Sequence, residues 1–441
     1  MPLRAQAVAA PAPLHPFPFV TQEPLRLGLG LVALVFYMWL IHSYKLAAGE
    51  VAVALLGIGV LLRGGQLRFP APLQFFGLLI IWSCFGLATT TSTIVTTNAL
   101  IDLGKLWIIM FCVMNVVRNA AELRMVLIAW LALFALYPVR GALFNQYICR
   151  CTEFGRVAWN FIFNNPNDLA ALSIFPLGVA AGVATVERTK IFRWAALIGV
   201  AMLALIVMLT QSRGAILALG TSVILLPLTS KNRGRDLFLI AALFGLAAIV
   251  APKDVWDRVS GLSNASISSG MQGVDKEGSA EARWKIWMIA ARTARDNPLV
   301  GIGAGMMPTK HRLESARLGL NYSARGNRDT HSTYLRLAAE SGFPGLAFYL
   351  LLFGSVFLKL QKSRRSIRNA RPKEHQLLFY LQLAMISFSV ASLFGTYGHL
   401  SFTYVSFGIL WLAGDILGRE PWYASAPAPA AGPQAVLRQA R

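Results

Sequence analysis

Long apolar runs recur along almost the whole chain, and they constrain its fold more than any other feature. Most are about 17 to 22 residues long, the length that an α-helix needs to cross a hydrocarbon core of about 30 Å. Hydrophobic residues make up 56% of the 441 positions and charged residues only 14%, whereas a soluble protein carries about a quarter charged residues. The sequence therefore predicts an all-α, polytopic transmembrane helical protein.

Hydropathy predicts about twelve transmembrane helices, with a large and partly helical loop between the ninth and the tenth. Their approximate bounds are 26–42, 47–63, 72–89, 100–117, 122–143, 167–186, 191–210, 213–230, 236–251, 341–359, 376–395 and 400–418. The chain then divides into a cytoplasmic N-terminal segment at 1–25, nine spans within 26–251, a loop domain at 252–330, a motif helix with three spans within 331–418, and a disordered cytoplasmic tail at 419–441.

Lysines and arginines gather in alternate connections between the apolar runs. Arg63 and Arg68 lie in the first of the basic connections and the run 359–373 forms the last, whereas residues 89–99 carry no charge. The positive-inside rule places the basic connections and both termini in the cytoplasm. The formal net charge of +21 therefore indicates contact with anionic lipid headgroups and does not point to nucleic acid binding.

The longest polar segment, residues 252–330, is expected on the outer side, since long loops translocate regardless of their charge. Ser279 is a suitable N-cap for an amphipathic helix that would end at Asn297 and Pro298. Its mixture of basic and aromatic residues is typical of a helix that lies in the lipid headgroup region. The glycine-rich run at 301–305 favours a tight turn over a phosphate cradle, because it lacks the flanking elements of a nucleotide loop.

The sequence lacks the spacings that are typical of metal ligands, such as Asp-x-Asp or His-x-x-x-His. Cys149 and Cys151 have no further His or Cys nearby that would complete a zinc site. They are also expected to stay unpaired, because a bridge across a single residue would be strained. We therefore expect neither a metal nor a cofactor.

Two residues at the expected outer face are candidates for chemistry. Arg213 lies in a tight turn between two apolar runs, where it either anchors the turn at the interface or binds an anion. His331 precedes the tenth span, where a histidine is either a structural hydrogen-bonding group or a general base. Arginine presents a planar fork to phosphate oxygens. Arginines beside a histidine at this depth suit a lipid-linked substrate that bears phosphate.

The spacing of these residues resembles the O-antigen ligases of Gram-negative bacteria, within the O-antigen ligase and polymerase superfamily. The pattern His-[Asn/Ser/Gln]-x9-Gly-x2-Gly of that family is met by His331, Ser332, Gly342 and Gly345. Its Arg-x3-Leu pattern is met by Arg213 and Leu217. Arg283 is similar to an arginine that family members need in the periplasmic loop. The resemblance covers most of the chain, including the late position of the large loop.

The resemblance implies a metal-independent, inverting glycosyltransferase of lipopolysaccharide biosynthesis in the bacterial inner membrane, with its active site facing the periplasm. O-antigen polysaccharide would leave undecaprenyl pyrophosphate and join a sugar hydroxyl of lipid A–core oligosaccharide. Arg213 and Arg283 would bind the pyrophosphate, and His331 would act as general base or orient the acceptor. Ser332, Gly342 and Gly345 would support the motif, with the glycines turning the chain into the next span.

Three other functions stay open at this stage. An O-antigen polymerase uses the same donor, and a protein O-oligosaccharyltransferase shares the signature of the superfamily. A transporter or flippase of lipid-linked glycan belongs to a different class, and it would need charged groups buried along a pathway at mid-membrane. The predicted spans are nearly free of such groups, with Asp102 and Lys105 as the main exceptions.

Overall fold

A computed structural model describes residues 25, 27–43, 48–153, 155–229, 234, 279–320 and 324–423. Within these ranges the chain is helical and contains no strand beyond one isolated bridge between Glu153 and Arg156. The helices are α1 Leu29–His42, α2 Gly49–Arg63, α3 Ala71–Cys84, α4 Thr93–Val116, α5 Ala120–Phe134, α6 Arg140–Phe144, α7 Pro166–Leu172, α8 Ile174–Val186, α9 Lys190–Leu209, α10 Arg213–Thr229, α11 Ser279–Asp296, α12 Met307–Arg317, α13 Thr333–Ser366, α14 Pro372–Ala391 and α15 Ser401–Arg419.

Seven helical stretches among the described residues are long and apolar enough to cross a membrane. They are Ala71–Ala88, Thr93–Val116, Ala120–Cys149, Pro166–Val186, Lys190–Leu209, Thr333–Ser366 and Ser401–Arg419. The helices at Leu29–His42 and Arg213–Leu226 are apolar but shorter. These stretches support a polytopic helical membrane protein. The number of twelve spans stays a prediction, and the span at 236–251 lies outside the described residues.

Several predicted helix bounds differ from the structure. The helix expected at 100–117 already begins at Thr93, and the helix expected at 122–143 continues through wider π-type turns to Cys149. The helix expected at 341–359 extends from Thr333 to Ser366, with a break at Gly342. Hydropathy locates the apolar centre of a helix, while the polar turns at each end are set by capping and packing.

Burial separates the central helices from the peripheral ones. The most apolar window of Pro166–Val186 is 83% buried and that of Ser401–Arg419 is 78% buried, whereas that of Lys190–Leu209 is only 22% buried. Small residues let the central helices approach closely, since a Cβ atom at Gly178 of α8 would lie 2.5 Å from the Cβ of Ala384 in α14. Helices α7, α8 and α15 therefore form the middle of the bundle.

The amphipathic helix predicted from Ser279 is present as α11 and ends at Asp296, just before Asn297. Its apolar face packs against the protein and does not lie free for the headgroup region. Ile289, Ala290 and Ala294 of α11 form a buried cluster with Met307 of α12 and with α13. A separate difference concerns Cys149 and Cys151, which are joined by a disulfide, so the expectation of two unpaired cysteines was wrong.

Candidate active site

A break in α13 shapes the site. Gly342 adopts φ 69°, which favours glycine, and a Cβ atom there would overlap the carbonyl oxygen of Leu299. The carbonyl of Pro298 accepts a hydrogen bond from the amide of Phe343 at 2.8 Å. The break thus divides α13 into a short first part, Thr333 to Ser341, and a long second part that continues through the bundle.

Gly345 lies just after the break in α13 and allows close packing there. The side chain of Ser341 lies directly over Gly345, where a Cβ atom would overlap it. The hydroxyl of Ser341 is 2.9 Å from the hydroxyl of Ser83. The carbonyl of Ser341 accepts a hydrogen bond from the indole of Trp82. The second motif glycine therefore allows α13 to be fastened to α3.

The glycine-rich run at 301–305 forms a tight turn. Gly301, Gly303 and Gly305 all have positive φ, between 76° and 97°. The amides of Ile302 and Gly303 donate hydrogen bonds, each 3.0 Å long, to carbonyls at the end of the first part of α13. Because these amides already satisfy the end of a helix, the turn does not form a phosphate cradle.

His331 and Ser332 stand immediately before α13. Ser332 is the N-cap, and its hydroxyl oxygen accepts a hydrogen bond from the amide of Leu335. His331 has φ 50°, and its amide donates to a carboxylate oxygen of Asp329 at 3.3 Å. The His331 side chain is 33% exposed, so it is accessible to a substrate.

A chain of ion pairs holds Asp329 in place. One oxygen of Asp329 accepts a hydrogen bond of 3.1 Å from the guanidinium of Arg336, whose Nε donates to Glu340 at 3.1 Å. The same Glu340 oxygen accepts the amide of Met307 at the start of α12. Arg336 therefore forms ion pairs with two carboxylates. Through Asp329 it connects the backbone of His331 to the first two turns of α13.

The connection between α14 and α15 covers the start of α13. The amide of Thr333 donates to the carbonyls of Ser392 and Gly395, and its hydroxyl accepts a hydrogen bond from the amide of Tyr397 at 2.9 Å. The hydroxyl of buried Tyr397 in turn donates to the carbonyl of Asn167 in α7. These bonds bring the first turn of α7, which carries Asp168, to the His331 side of the bundle.

Arg213 is positioned by a buried turn. Thr210, Gln211 and Ser212 are buried, and Gln211 has φ 52°. Arg156 fixes this turn by donating to the carbonyl of Thr210 at 3.0 Å and to the side chain of Asn167 at 2.9 Å. Arg213 therefore begins α10 beside the start of α7.

One face of α11 joins Arg213 to the surroundings of His331. Ser279, Arg283 and Trp287 are spaced four residues apart, so they share that face. Nη2 of Arg213 donates to the Ser279 hydroxyl at 3.4 Å, and the Trp287 indole donates to the Thr330 carbonyl at 3.0 Å. Arg283 lies between these two contacts. The structure thus brings Arg213, Arg283 and His331 to one end of the bundle.

The electrostatics of the site favour a neutral histidine. Burial, assisted by the positive charge of Arg283, lowers the pKa of His331 to about 4, although the carboxylate of Asp329 acts in the opposite direction. Burial would raise the pKa of Asp329, but the charge of Arg336, a hydrogen bond with Thr396 and smaller contributions together outweigh it, so the net shift of the pKa is downward. At neutral pH the site therefore holds a neutral imidazole beside an ionised carboxylate.

Sequence patterns did not identify all the residues of this site. Asp168, Asp329, Arg336 and Tyr397 surround the three predicted side chains, and Asp168 lies within electrostatic reach of Asp329 and Arg283. In the sequence, only the run from Asn164 to Asp168, which is rich in turn-forming and helix-capping residues, marks any of them. Within the described ranges, no group of three or more His, Cys, Asp or Glu side chains has an arrangement suited to a metal ion.

An apolar cavity of about 280 Å³ adjoins the site. It is lined by Trp287, Ser332, Tyr334, Leu335, Leu393 and Phe394. The ring of Phe394 packs over Gly214, the neighbour of Arg213. The cavity therefore lies between the motif at His331 and the turn at Arg213, and it presents hydrocarbon surface next to the charged groups.

Comparison with known families adds a further observation. Residues 198–350 match the family model described as O-antigen ligase. This match supports the O-antigen ligase and polymerase superfamily that the motifs predicted, and the members of that family are glycosyltransferase-like enzymes. The matched segment includes Arg213, Arg283, His331 and both motif glycines, Gly342 and Gly345. A search of curated proteins finds no match to the chain.

Proposed function

We propose that this protein is an O-antigen ligase that transfers O-antigen polysaccharide from undecaprenyl pyrophosphate to lipid A–core oligosaccharide. One observation carries the proposal: two arginines and a histidine of low pKa converge at one end of a membrane-embedded helical bundle. The family match supports a glycosyltransferase that acts on a lipid-linked glycan.

In the proposed reaction the donor pyrophosphate lies against Arg213 and Arg283. Their guanidinium groups bind phosphate oxygens and stabilise the negative charge that develops on the leaving group. The adjoining apolar cavity offers hydrocarbon contacts to the polyprenyl chain. No step requires a metal ion, since the arginines supply the positive charge.

His331 is the proposed general base. Its neutral imidazole accepts the proton of the acceptor hydroxyl while that oxygen forms a bond to the anomeric carbon of the donor sugar. The bond from the anomeric carbon to the pyrophosphate oxygen breaks on the opposite face, so the configuration inverts. Undecaprenyl pyrophosphate leaves, and His331 then returns its proton to solvent.

The location of Asp102 and Lys105 helps to distinguish an enzyme from a transporter. The side chains of Asp102 and Lys105 are 71% and 54% exposed on the outside of α4, where they lie 3.6 Å apart. They therefore do not line a pathway through the interior of the bundle, as a flippase of lipid-linked glycan would require. This placement favours an enzyme over a transporter.

Reconstitution tests the proposal and separates its rivals. The purified chain is combined with undecaprenyl-pyrophosphate glycan and lipid A–core in liposomes, and the products are resolved on a gel. A ligase gives modified lipid A–core, a polymerase gives longer donor chains, and a flippase gives neither. Longer donor chains without modified lipid A–core would replace the ligase by a polymerase. A parallel reaction in EDTA should proceed at the same rate, and restoration by Mg²⁺ after loss would refute the metal-free mechanism.

A further inference from the structure

The end of the bundle opposite the site carries a cluster of cations that we name the Arg68 cluster. It contains five cations, Arg63, Arg68, Arg118, Lys359 and Arg419, and two carboxylates, Glu122 and Asp415. Five cations against two carboxylates leave an excess of three positive charges. Helices α4, α13 and α15 all run from the candidate site towards this end.

Two hydrogen bonds with Asn115 hold the backbone of Arg68 in place. Its amide donates to Oδ1 of Asn115 at 2.7 Å, and its carbonyl accepts from Nδ2 of the same residue at 3.1 Å. Asn115 is itself buried within α4. The segment between α2 and α3 is therefore fastened to the bundle at the backbone of Arg68.

The guanidinium of Arg68 has one long ion pair, with Asp415, among the described residues. Its Nη1 lies 3.9 Å from Oδ2 of Asp415, which is too far for a hydrogen bond, and this buried nitrogen has no hydrogen-bond partner in the described part of the chain. Asp415 is already bonded to Lys359 at 2.7 Å and to Arg419 at 2.6 Å. An arginine keeps its charge, so a buried N–H of this kind calls for an anionic oxygen.

The positive charges around Arg68 also favour the binding of an anion. Burial lowers the pKa of Arg68, and the positive charges of Arg419, Arg118 and Arg63 lower it too, while Asp415 alone opposes them. Like charges at such short range repel each other, and an added anion would relieve that repulsion. Phosphate is suited to this position because its oxygens match the guanidinium fork.

Apolar side chains next to the cluster indicate a lipid as the source of the phosphate. Leu67 and Phe69 flank Arg68 and are 44% and 51% exposed. The ring of Phe69 also packs at 5.1 Å from the ring of Phe111, which stacks on Trp107. Aromatic residues of this kind are typical of the interface between headgroups and acyl chains. A free phosphate ion would leave this hydrocarbon surface unused.

We propose that the Arg68 cluster binds the phosphate headgroup of an anionic phospholipid. The headgroup phosphate accepts hydrogen bonds from Arg68 and neighbouring guanidinium groups, and the acyl chains lie along Leu67 and Phe69. The basic loops place this end in the cytoplasm by the positive-inside rule, where anionic lipid is the ordinary counter-charge. The site is separate from the proposed glycosyl transfer and independent of it.

Lipid-dependent stability tests the proposal. The full chain is purified in a non-ionic detergent, and its unfolding midpoint is measured against increasing phosphatidylglycerol, phosphatidylcholine with the same acyl chains, or inorganic phosphate. Phosphatidylglycerol should raise the midpoint and reach saturation, while the other two should not. Arg68→Gln should increase the half-saturating concentration about fivefold, as expected from losing one cation that contacts the headgroup.

Arg193→Gln is the matched control, because Arg193 is an exposed cation in the first turn of α9, outside the cluster. It removes the same charge and should bind phosphatidylglycerol like the unaltered protein. Equal weakening by the two substitutions would reduce the effect to general surface charge and overturn the proposal. Stabilisation by inorganic phosphate equal to that by phosphatidylglycerol would overturn the choice of a lipid. If Arg68→Gln does not fold, Arg68→Lys takes its place, and it should also bind more weakly because the fork is lost.

Discussion

At the scale of single residues, the site is defined by the groups that each charged side chain contacts. Arg336 lies between Asp329 and Glu340, each at 3.1 Å, so its charge is already balanced. Arg283 lies on the same face of α11 as Ser279, whose hydroxyl accepts a hydrogen bond from Arg213. The arginines at this end thus divide into one that supports His331 and two that we assign to the substrate.

The first prediction concerns the pH dependence of activity. With a pKa of about 4, His331 is deprotonated throughout the neutral range, and the deprotonated form is the one that accepts a proton. The ligation rate at low acceptor concentration should therefore stay level from about pH 6 to 8. A rise with a midpoint near the ordinary histidine pKa of about 6.5 would contradict it. His331→Ala should lower the rate about 10²- to 10⁴-fold, while His375→Gln, at the opposite end, should not.

The second prediction concerns the arginine fork. Arg213→Lys and Arg283→Lys keep the charge but lose bidentate contact with phosphate, so each should lower kcat/KM for the lipid donor about 10- to 100-fold. Arg292→Lys is the control, because Arg292 is exposed on another face of α11. Full activity of Arg213→Lys in the reconstituted assay would reduce Arg213 to an interfacial anchor.

The third prediction assigns Arg336 a positioning role. Arg336→Gln frees Asp329, which holds the amide of His331, so kcat should fall about 10- to 100-fold with little change in KM for the donor. Asp329→Asn should act through the same contact. The double variant should then be no slower than the worse single variant. Additive losses, or a loss confined to KM, would assign Arg336 to phosphate binding instead.

At the scale of elements, the junction within α13 joins the motif to the membrane bundle. The first part of α13 ends on the amides of the turn at 301–305, and the second part begins at Gly342 against the carbonyls of Pro298 and Leu299. Helix α11 leads directly into this segment. The element that carries Arg283 and the element that carries His331 are therefore fastened to each other by backbone contacts, which fix their relative position.

Substitution at Gly342 tests this junction and is our fourth prediction. Gly342→Ala should lower the free energy of unfolding by about 1–3 kcal/mol, because alanine must adopt positive φ and its Cβ meets a backbone carbonyl. Gly354→Ala is the matched control in the same helix, since a Cβ there meets nothing within 4 Å. It should be neutral or raise stability by up to about 1 kcal/mol. Equal effects on the thermal midpoint in detergent would refute the strained junction.

Hydropathy and capping patterns predicted many elements because they are local properties of the chain. The start of α11 at Ser279 and its end before Asn297 were both predicted. The packing of α11 was not, because a face with Trp and basic residues suits a headgroup region and a protein surface equally well. Its partner, the first part of α13, lies more than forty positions later in the sequence, and only the folded chain brings the two together.

At the scale of the whole molecule, the two ends of the bundle carry different groups of charged side chains. Arg213, Arg283 and His331 lie at one end, near the turns at 210–212 and 301–305 and the connection between α14 and α15. The Arg68 cluster lies at the other end. Neither end could be assembled from neighbouring positions, since each draws on helices from the first third and from the last quarter of the chain. The bundle therefore supports two chemically different surfaces.

The fifth prediction is the orientation of the bundle. In a chain with Cys84 changed to Ser, a cysteine at position 312 in place of exposed Arg312 should react with an impermeant maleimide in cells whose outer membrane is permeabilised. A cysteine in place of exposed Arg193 should react only after lysis. The opposite labelling pattern would place the candidate site in the cytoplasm and exclude a periplasmic ligase.

The sequence by itself determined the helical membrane class, the apolar centres of many helices, and the motif of His331, Ser332, Gly342 and Gly345. These follow from local hydropathy, capping and backbone preference, which act over a few residues. Only the tertiary structure decided that Asp329 and Arg336 support His331, that the turn at 301–305 caps a helix, and that Arg68 stands among like charges. Such roles depend on distances between side chains far apart in the chain, and packing alone sets those distances.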